Sequence, residues 1–258
     1  MKNHHSTLLM FMLLFAASAF GQVAKEVAEP VFKADEQLSY KFKYGFFTGA
    51  EGELKVEDGQ KVNGKPTYHI TAQGNTAGAF DVFYKVRNQY ESTIDRETLR
   101  PYLYTENRKE GSWKHTDKVS FDHQTGKITA DKGVFQSQGK VFDFVSAYYF
   151  ARSIDVARLK VGDKFDIPYF LDDGIYKLNV TYLGKESVKI GLGKFNCHKF
   201  NPSILPGRIF KKNSKLYLWI TDDGNHIPVK ANVDLVVGSV TMELTGTKGL
   251  KYPLNPIN

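Results

Sequence analysis

Cysteine is almost missing from this chain: of 258 residues only Cys197 carries a thiol. One thiol excludes an intrachain disulfide and any cysteine-built zinc cluster, so stability has to come from packing. The short catalytic signatures are missing too. There is no Gly-x-Ser-x-Gly nucleophile elbow, no His-Glu-x-x-His zinc pair and no Gly-rich phosphate loop. Beyond the N-terminus no apolar run approaches the roughly 20 residues that a membrane-spanning helix needs. No fixed-period repeat and no low-complexity linker divides the sequence.

The N-terminus is the exception. Lys2 precedes an apolar stretch from Leu8 to Ala19, followed by small residues at the spacing a signal peptidase needs. Cleavage fits after Ala19 or after Gly21. The second is preferred and leaves Gln22 first, with residues 22–258 as a single β-rich domain whose core covers about 36–246. No cysteine follows the small residues, so no lipid anchor is expected, and the mature protein is expected to be periplasmic or otherwise exported and not membrane-spanning. The net charge of +7 is scattered, with only small clusters such as Lys211, Lys212 and Lys215. That pattern suits a solvated surface rather than a nucleic-acid interface.

What the chain has in quantity is period-two alternation. Leu38, Tyr40, Phe42 and Tyr44 share one face, as do Tyr68, Ile70 and Ala72, and later Phe165, Ile167, Tyr169 and Leu171. Asn63-Gly64 is a hairpin signal because both residues tolerate positive φ. Gly49 to Gly52, Asp172-Asp173-Gly174 and Gly184-Lys185 read as further turns. Short strands at this spacing predict a mainly β fold, an antiparallel sandwich or partly closed barrel.

One stretch breaks the alternation: "VFDFVSAYYFAR", residues 141–152. Asp143 suits an N-cap, and Phe144, Ala147, Tyr148 and Ala151 then fall on one face, with Val145, Tyr149 and Phe150 on the others. A short helix apolar nearly all round is expected to be buried. The strand Leu216–Thr221 is apolar on both faces, and the helix is expected to cover the side carrying Tyr217 and Trp219.

Candidate chemistry is sparse. Cys197 and His198 are adjacent, but neighbours on a strand point to opposite faces, which favours an inert thiol. The other histidines of the mature chain are His69, His115, His123 and His226, at no ligating spacing; His123 and His226 sit in turn-like sequence and read as solvated. Asp222-Asp223-Gly224-Asn225 lacks the further oxygens of a calcium loop and reads as a turn. No catalytic residue, metal or cofactor is implied. Aromatics make up 14 % of the chain. Tyr40, Tyr44, Tyr68, Tyr90 and Tyr104 on inner strand faces, with Phe144, Tyr148 and Trp219, are the candidate lining of a ligand cavity. A filled tyrosine-rich core accounts for the same pattern.

The order of several pieces resembles a known family. They are Asp143, Ser146, Ala147, Tyr149 and Arg152, then Trp219, Thr221, Asp222, Asp223, Pro228 and Val229 in "WITDDGNHIPV", then Gly238, Ser239, Val240 and Leu244. With the opening "LSYKFKYGFFTGAEGEL", the chain is similar from Leu38 to Leu244 to the exported bacterial family catalogued as domain of unknown function 3108. The resemblance implies an envelope-located, β-rich domain; it carries over no activity and no site residue. The expected function is a non-enzymatic envelope protein binding a lipid-like or other apolar ligand, or an envelope protein partner. The alternative is a hydrolase of envelope glycans or peptides using carboxylates such as Asp222, Asp223 and Glu243.

Overall fold

The structure, a computed structural model, describes residues 29–203, 214–235 and 237–257. The leader proposed over 1–21, with Lys211 and Lys212, lies outside the described residues. Fourteen strands follow in chain order. They are β1 (Gln37–Tyr44), β2 (Phe47–Val62), β3 (Lys65–Thr76), β4 (Val86–Asp95), β5 (Pro101–Glu110), β6 (Trp113–Asp122) and β7 (Lys127–Ala130). After them come β8 (Gly133–Gln136), β9 (Lys164–Leu171), β10 (Gly174–Ile190), β11 (Gly193–Pro202), β12 (Leu216–Thr221), β13 (Pro228–Asp234) and β14 (Ser239–Lys248). Two helices interrupt them, α1 (Gly78–Phe83) and α2 (Phe144–Arg152), with a 3-10 turn at Val156–Arg158.

All fourteen strands form one antiparallel sheet in which chain neighbours pair, and β1 pairs with β14. The two ends of the chain therefore meet in the middle of the sheet, and the open edges are β8 and β9. Backbone pairing does not close the roll; side chains do. Phe135 of β8 lies 5.0 Å from Phe170 of β9, ring to ring, and Phe121 of β6 is 6.4 Å from it. The chain leaving β8 adds one residue of backbone pairing to the β9 edge. The Phe142 amide donates to Pro168 O at 3.0 Å, and Phe142 O accepts from the Phe170 amide at 2.8 Å. This covers the Pro168–Phe170 stretch of the β9 edge. The expected partly closed barrel is the observed architecture.

From Phe142 the chain turns inward as α2. The Asp143 carboxylate accepts the Val145 and Ser146 amides at 2.8 Å each, while Ser146 Oγ accepts the Asp143 amide at 2.9 Å, a complete capping box. Val145 and Tyr149 pack with Val56, Ile70, Ile94 and Val119 on one side. Ala147 and Phe150 pack with Phe165, Ile167, Phe200 and Ile220 on the other. The helix is thus the joint core of two half-sheets, as its all-round apolarity requires, although Phe144 at its start is 58 % exposed.

Three local expectations are corrected. Gly49 and Gly52 lie inside β2, where Gly52 leaves room for the Phe42 ring; the turn is at 45–46. Gly184 does not end a strand: with φ of +103° it forms a bulge inside the long β10. And α2 lies against Leu218 and Ile220, not against Tyr217 and Trp219. Tyr217 and Trp219 pack instead with a third cluster that includes Val188, Phe195, Cys197 and Val229, and the ammonium groups of Lys199 and Lys230 sit 5.0 and 5.4 Å from the Trp219 ring.

Strict up-and-down order fixes which connections share an end. Turns from even to odd strands, the segment before β1 and the segment after β14 gather at one end; turns from odd to even strands gather at the other.

Candidate functional site: a polar cleft at the even-to-odd end

A cleft of about 690 Å³ opens at that first end, among the 3-10 turn, β10, β11, the β12–β13 turn and both terminal segments. Its polar side is a chain of hydrogen bonds. Tyr182 Oη and His198 Nδ1 are 2.9 Å apart, His198 Nε2 and Asp222 Oδ1 are 2.8 Å apart, and Lys185 Nζ donates to Asp222 Oδ2 at 2.6 Å. The bulge at Gly184 makes the chain possible. Tyr182 pairs with Phe200 and Lys185 with His198, so residues three apart on β10 stand on the same face beside one histidine. Without the extra residue their side chains would point to opposite faces.

Burial, with the nearby Lys185 charge, lowers the His198 pKa although Asp222 raises it, so the imidazole is neutral at neutral pH. A neutral ring has one N–H, and the carboxylate can only accept; Nε2–H therefore donates to Asp222, and Nδ1 accepts the Tyr182 hydroxyl. Burial works to raise the Asp222 pKa, but hydrogen bonds from Lys185 and His198 outweigh it and hold the carboxyl below its ordinary value. Burial raises that of Tyr182. A tyrosine made less acidic and a carboxylate held ionised suit recognition and fixed orientation better than nucleophilic attack. Beside them Asp223 Oδ1 accepts Thr221 Oγ1 at 2.8 Å and the Asn225 amide at 2.9 Å, while its buried Oδ2 has no partner among the described residues.

The cleft walls are fastened by a buried ion pair that bridges distant parts of the chain. Arg152, at the end of α2, donates to both Glu36 oxygens at 2.6 and 2.9 Å and to Asn225 O at 3.0 Å. Burial would lower the Arg152 pKa, but the Glu36 charge prevails and holds it above the usual value. His226 Nδ1 donates to Arg152 O at 2.8 Å, and Asn225 Nδ2 reaches the Tyr252 and Pro253 carbonyls at 3.0 and 3.1 Å. His226 is therefore a structural donor rather than a solvated turn residue. His123 is not solvated either: it packs 5.2 Å from Tyr102, and burial lowers its pKa.

None of the eight candidate lining residues belongs to this cleft. Tyr40 and Tyr148 share a hydroxyl contact at 3.1 Å beneath α2, and Tyr104 donates to Glu106 at 2.9 Å. Tyr68 is buried under Arg96, Tyr90 stands 5.9 Å from Phe144, and Tyr44 lies exposed at the opposite end, donating to Val237 O at 3.3 Å. Trp219 is buried in the cluster with Phe195, Cys197 and Val229. Tyr40, Tyr68 and Tyr104 are buried, as the alternation predicted. Cys197 is buried, and burial pushes its thiol up to about 12, as an inert residue requires. Of the three carboxylates named for a hydrolase, Asp222 and Asp223 line the cleft; Glu243 is held elsewhere by Lys43 and the Gly191 amide.

An apolar recess of about 60 Å³ lies between the end of α2 and strands β9 to β12, walled by Ile154, Phe165, Val180, Phe200 and Ile220. Val156 lines both the recess and the polar cleft. Among the described residues no helix is long and apolar enough to cross a membrane. No three His, Cys, Asp or Glu side chains among them converge to hold a metal ion.

A β-barrel-like protein of domain of unknown function DUF1849 from Brucella abortus has a similar fold: TM-score 0.52 at 9 % identity, over 88 % of this chain and 100 % of that one. A protein from Bacteroides fragilis with a YmcC-like fold matches over 87 % of this chain and 99 % of its own, at 11 % identity and a TM-score of 0.35. No curated protein matches. Nearly all of the alternating strands, the capped inner helix and the "WITDDG" turn that builds the cleft fall within residues 39–245, which match the family model of a protein of unknown function, and the chain belongs to that family, DUF3108.

Proposed function

We propose that this is an exported, non-enzymatic envelope protein that binds a lipid-like amphiphile at the cleft. The observation carrying this reading is Val156, where a polar cleft meets a purely apolar recess. A hydroxyl or amine donor of a head group would satisfy Asp223 Oδ2, and its phosphate oxygens would accept from Lys185. The apolar part would lie along Val31, Val156 and Leu159 toward the recess. Cleft and recess together are the size of ordinary ligand sites. The hydrolase alternative gains from Asp222 and Asp223 sharing the cleft, but acid catalysis needs a carboxyl with a raised pKa, and that of Asp222 is lowered.

The test is native mass spectrometry of the secreted protein, followed by titration with lysophosphatidylethanolamine. Saturable binding is expected, weakened by Val156→Trp and by Asp223→Asn, in variants whose circular dichroism is unchanged. Protein that is always empty and takes up none of this lipid would sink the reading.

A further inference from the structure

The opposite end of the barrel, where odd strands turn into even ones, has apolar tips. Phe46 in the β1–β2 turn and Phe47 at the start of β2 are 101 % and 69 % exposed, Phe83 of α1 is 88 % exposed, and Trp113 at the β5–β6 turn is 46 % exposed. The α1 helix contains no buried residue, so Phe80, Val82 and Phe83 add nothing to the core. It is nevertheless held firmly. Arg87 donates to both Asp81 oxygens at 2.6 and 2.8 Å, and Thr76 donates to Asp81 at 2.6 Å. An apolar cluster that is fixed in place while facing water marks an interaction site.

Charge indicates what the cluster meets. Just behind the tips, Arg87, Lys109 and Lys114 stand directly opposite one another across β4, β5 and β6. Like charges in direct cross-strand register destabilise a sheet. Asp81 offsets Arg87, but Lys109 and Lys114 have no ion pair among the described residues. A second copy of this chain would bring the same cations against them. An anionic head-group layer over an acyl interior matches both features, with aromatic rings at the boundary and lysines on the phosphates.

We propose that this rim docks the protein on an anionic bilayer surface, with Phe46, Phe83 and Trp113 in the head-group boundary and Lys109 and Lys114 on the lipid phosphates. The site is distinct from the cleft and does not depend on the cleft's ligand.

The experiment uses protein secreted by an expression strain, its N-terminus verified by mass. It is sedimented with vesicles of phosphatidylethanolamine plus phosphatidylglycerol, and with vesicles of phosphatidylcholine alone. Binding to the anionic vesicles is expected, falling with salt. A blue shift of tryptophan emission should accompany it and vanish in Trp113→Phe. Phe46→Ser and Phe83→Ser should each weaken binding about tenfold or more. The Lys109→Glu/Lys114→Glu variant should remove the preference for anionic lipid while leaving cleft ligation intact. No vesicle binding, or serine variants that bind like the parent, would overturn the proposal. So would self-association that the same serine substitutions abolish, since it would assign the rim to a second copy.

Discussion

Replacing Asp143 by asparagine separates the hydrogen bonds of the α2 cap from its charge. Asp143 is 1 % exposed; Oδ1 accepts two helix amides, and Oδ2 accepts Ser92 Oγ at 2.6 Å. Burial pushes its carboxyl from 3.8 up to about 6, although Ser92, Ser146 and Val145 pull it down through hydrogen bonds. The folded-state value lies above the unfolded one. Its stabilising contribution is therefore full below about pH 3.8 and is lost as pH rises through about 6. At about 1.4 kcal/mol per pH unit of separation, the loss by neutral pH is about 3 kcal/mol.

Asparagine caps as well as aspartate. Its Oδ1 keeps both amides, and its Nδ2 can donate to Ser92 Oγ once that hydroxyl turns. Asp143→Asn is thus expected to be at least as stable as the parent at neutral pH. Urea unfolding of both proteins, followed by tryptophan fluorescence from about pH 4 to pH 7, measures the difference. Relative to the variant, the parent should lose about 2.4 kcal/mol across that window. A difference that stays flat with pH would show that burial does not govern this carboxyl, and the reasoning would fail. Asp143→Ala removes the cap outright and should be about 1–2 kcal/mol less stable than Asp143→Asn at every pH.

Glu36→Gln should cost about 3–5 kcal/mol, because it leaves the Arg152 guanidinium buried without its counter-charge. Glu36→Leu with Arg152→Met should recover much of that loss in a double-mutant cycle; a single-variant loss below about 1 kcal/mol would argue that water reaches the pair. Gly249→Ala should lower the melting temperature, since φ is +65° and a Cβ there runs into the Asp35 carbonyl; an unchanged melt would contradict that contact. Cys197 should resist thiol reagents in the folded protein and react once urea unfolds it; prompt native labelling would mean the β11 face is open.

The strands and the helix were legible because each announces itself within a few residues. Alternation reports one buried face, and Asp143 before an all-apolar stretch reports a capped inner helix. The cleft was not legible, for two physical reasons. Tyr182 and Lys185 share a face only because Gly184 inserts a bulge, and a glycine in sequence reads equally well as a turn; that reading reversed the parity. The walls are fastened by Glu36, Arg152 and Asn225, whose proximity is set by the β1–β14 pairing rather than by any local spacing. Arg152 was the available signal, as the only charge but one in an apolar run, and a buried arginine requires a counter-charge.

The same helix decides how the two ends of the barrel can be related. The apolar rim and the polar cleft lie at opposite ends of a rolled sheet, and a hollow barrel would join them. Here Tyr149, Phe142 and Arg152 are at most 1 % exposed, and α2 packs against both half-sheets. No passage for an acyl chain runs past a helix packed in this way. If the rim rests on a bilayer and the cleft holds an amphiphile, the ligand enters the cleft from the side facing away from that bilayer. Two separated contacts of this kind make a bridge from a membrane to something beyond it, not a conduit through the protein. Rim substitutions should then leave lysophospholipid affinity unchanged while removing vesicle binding. Parallel loss of both activities would mean that the helix yields and the interior is one continuous site.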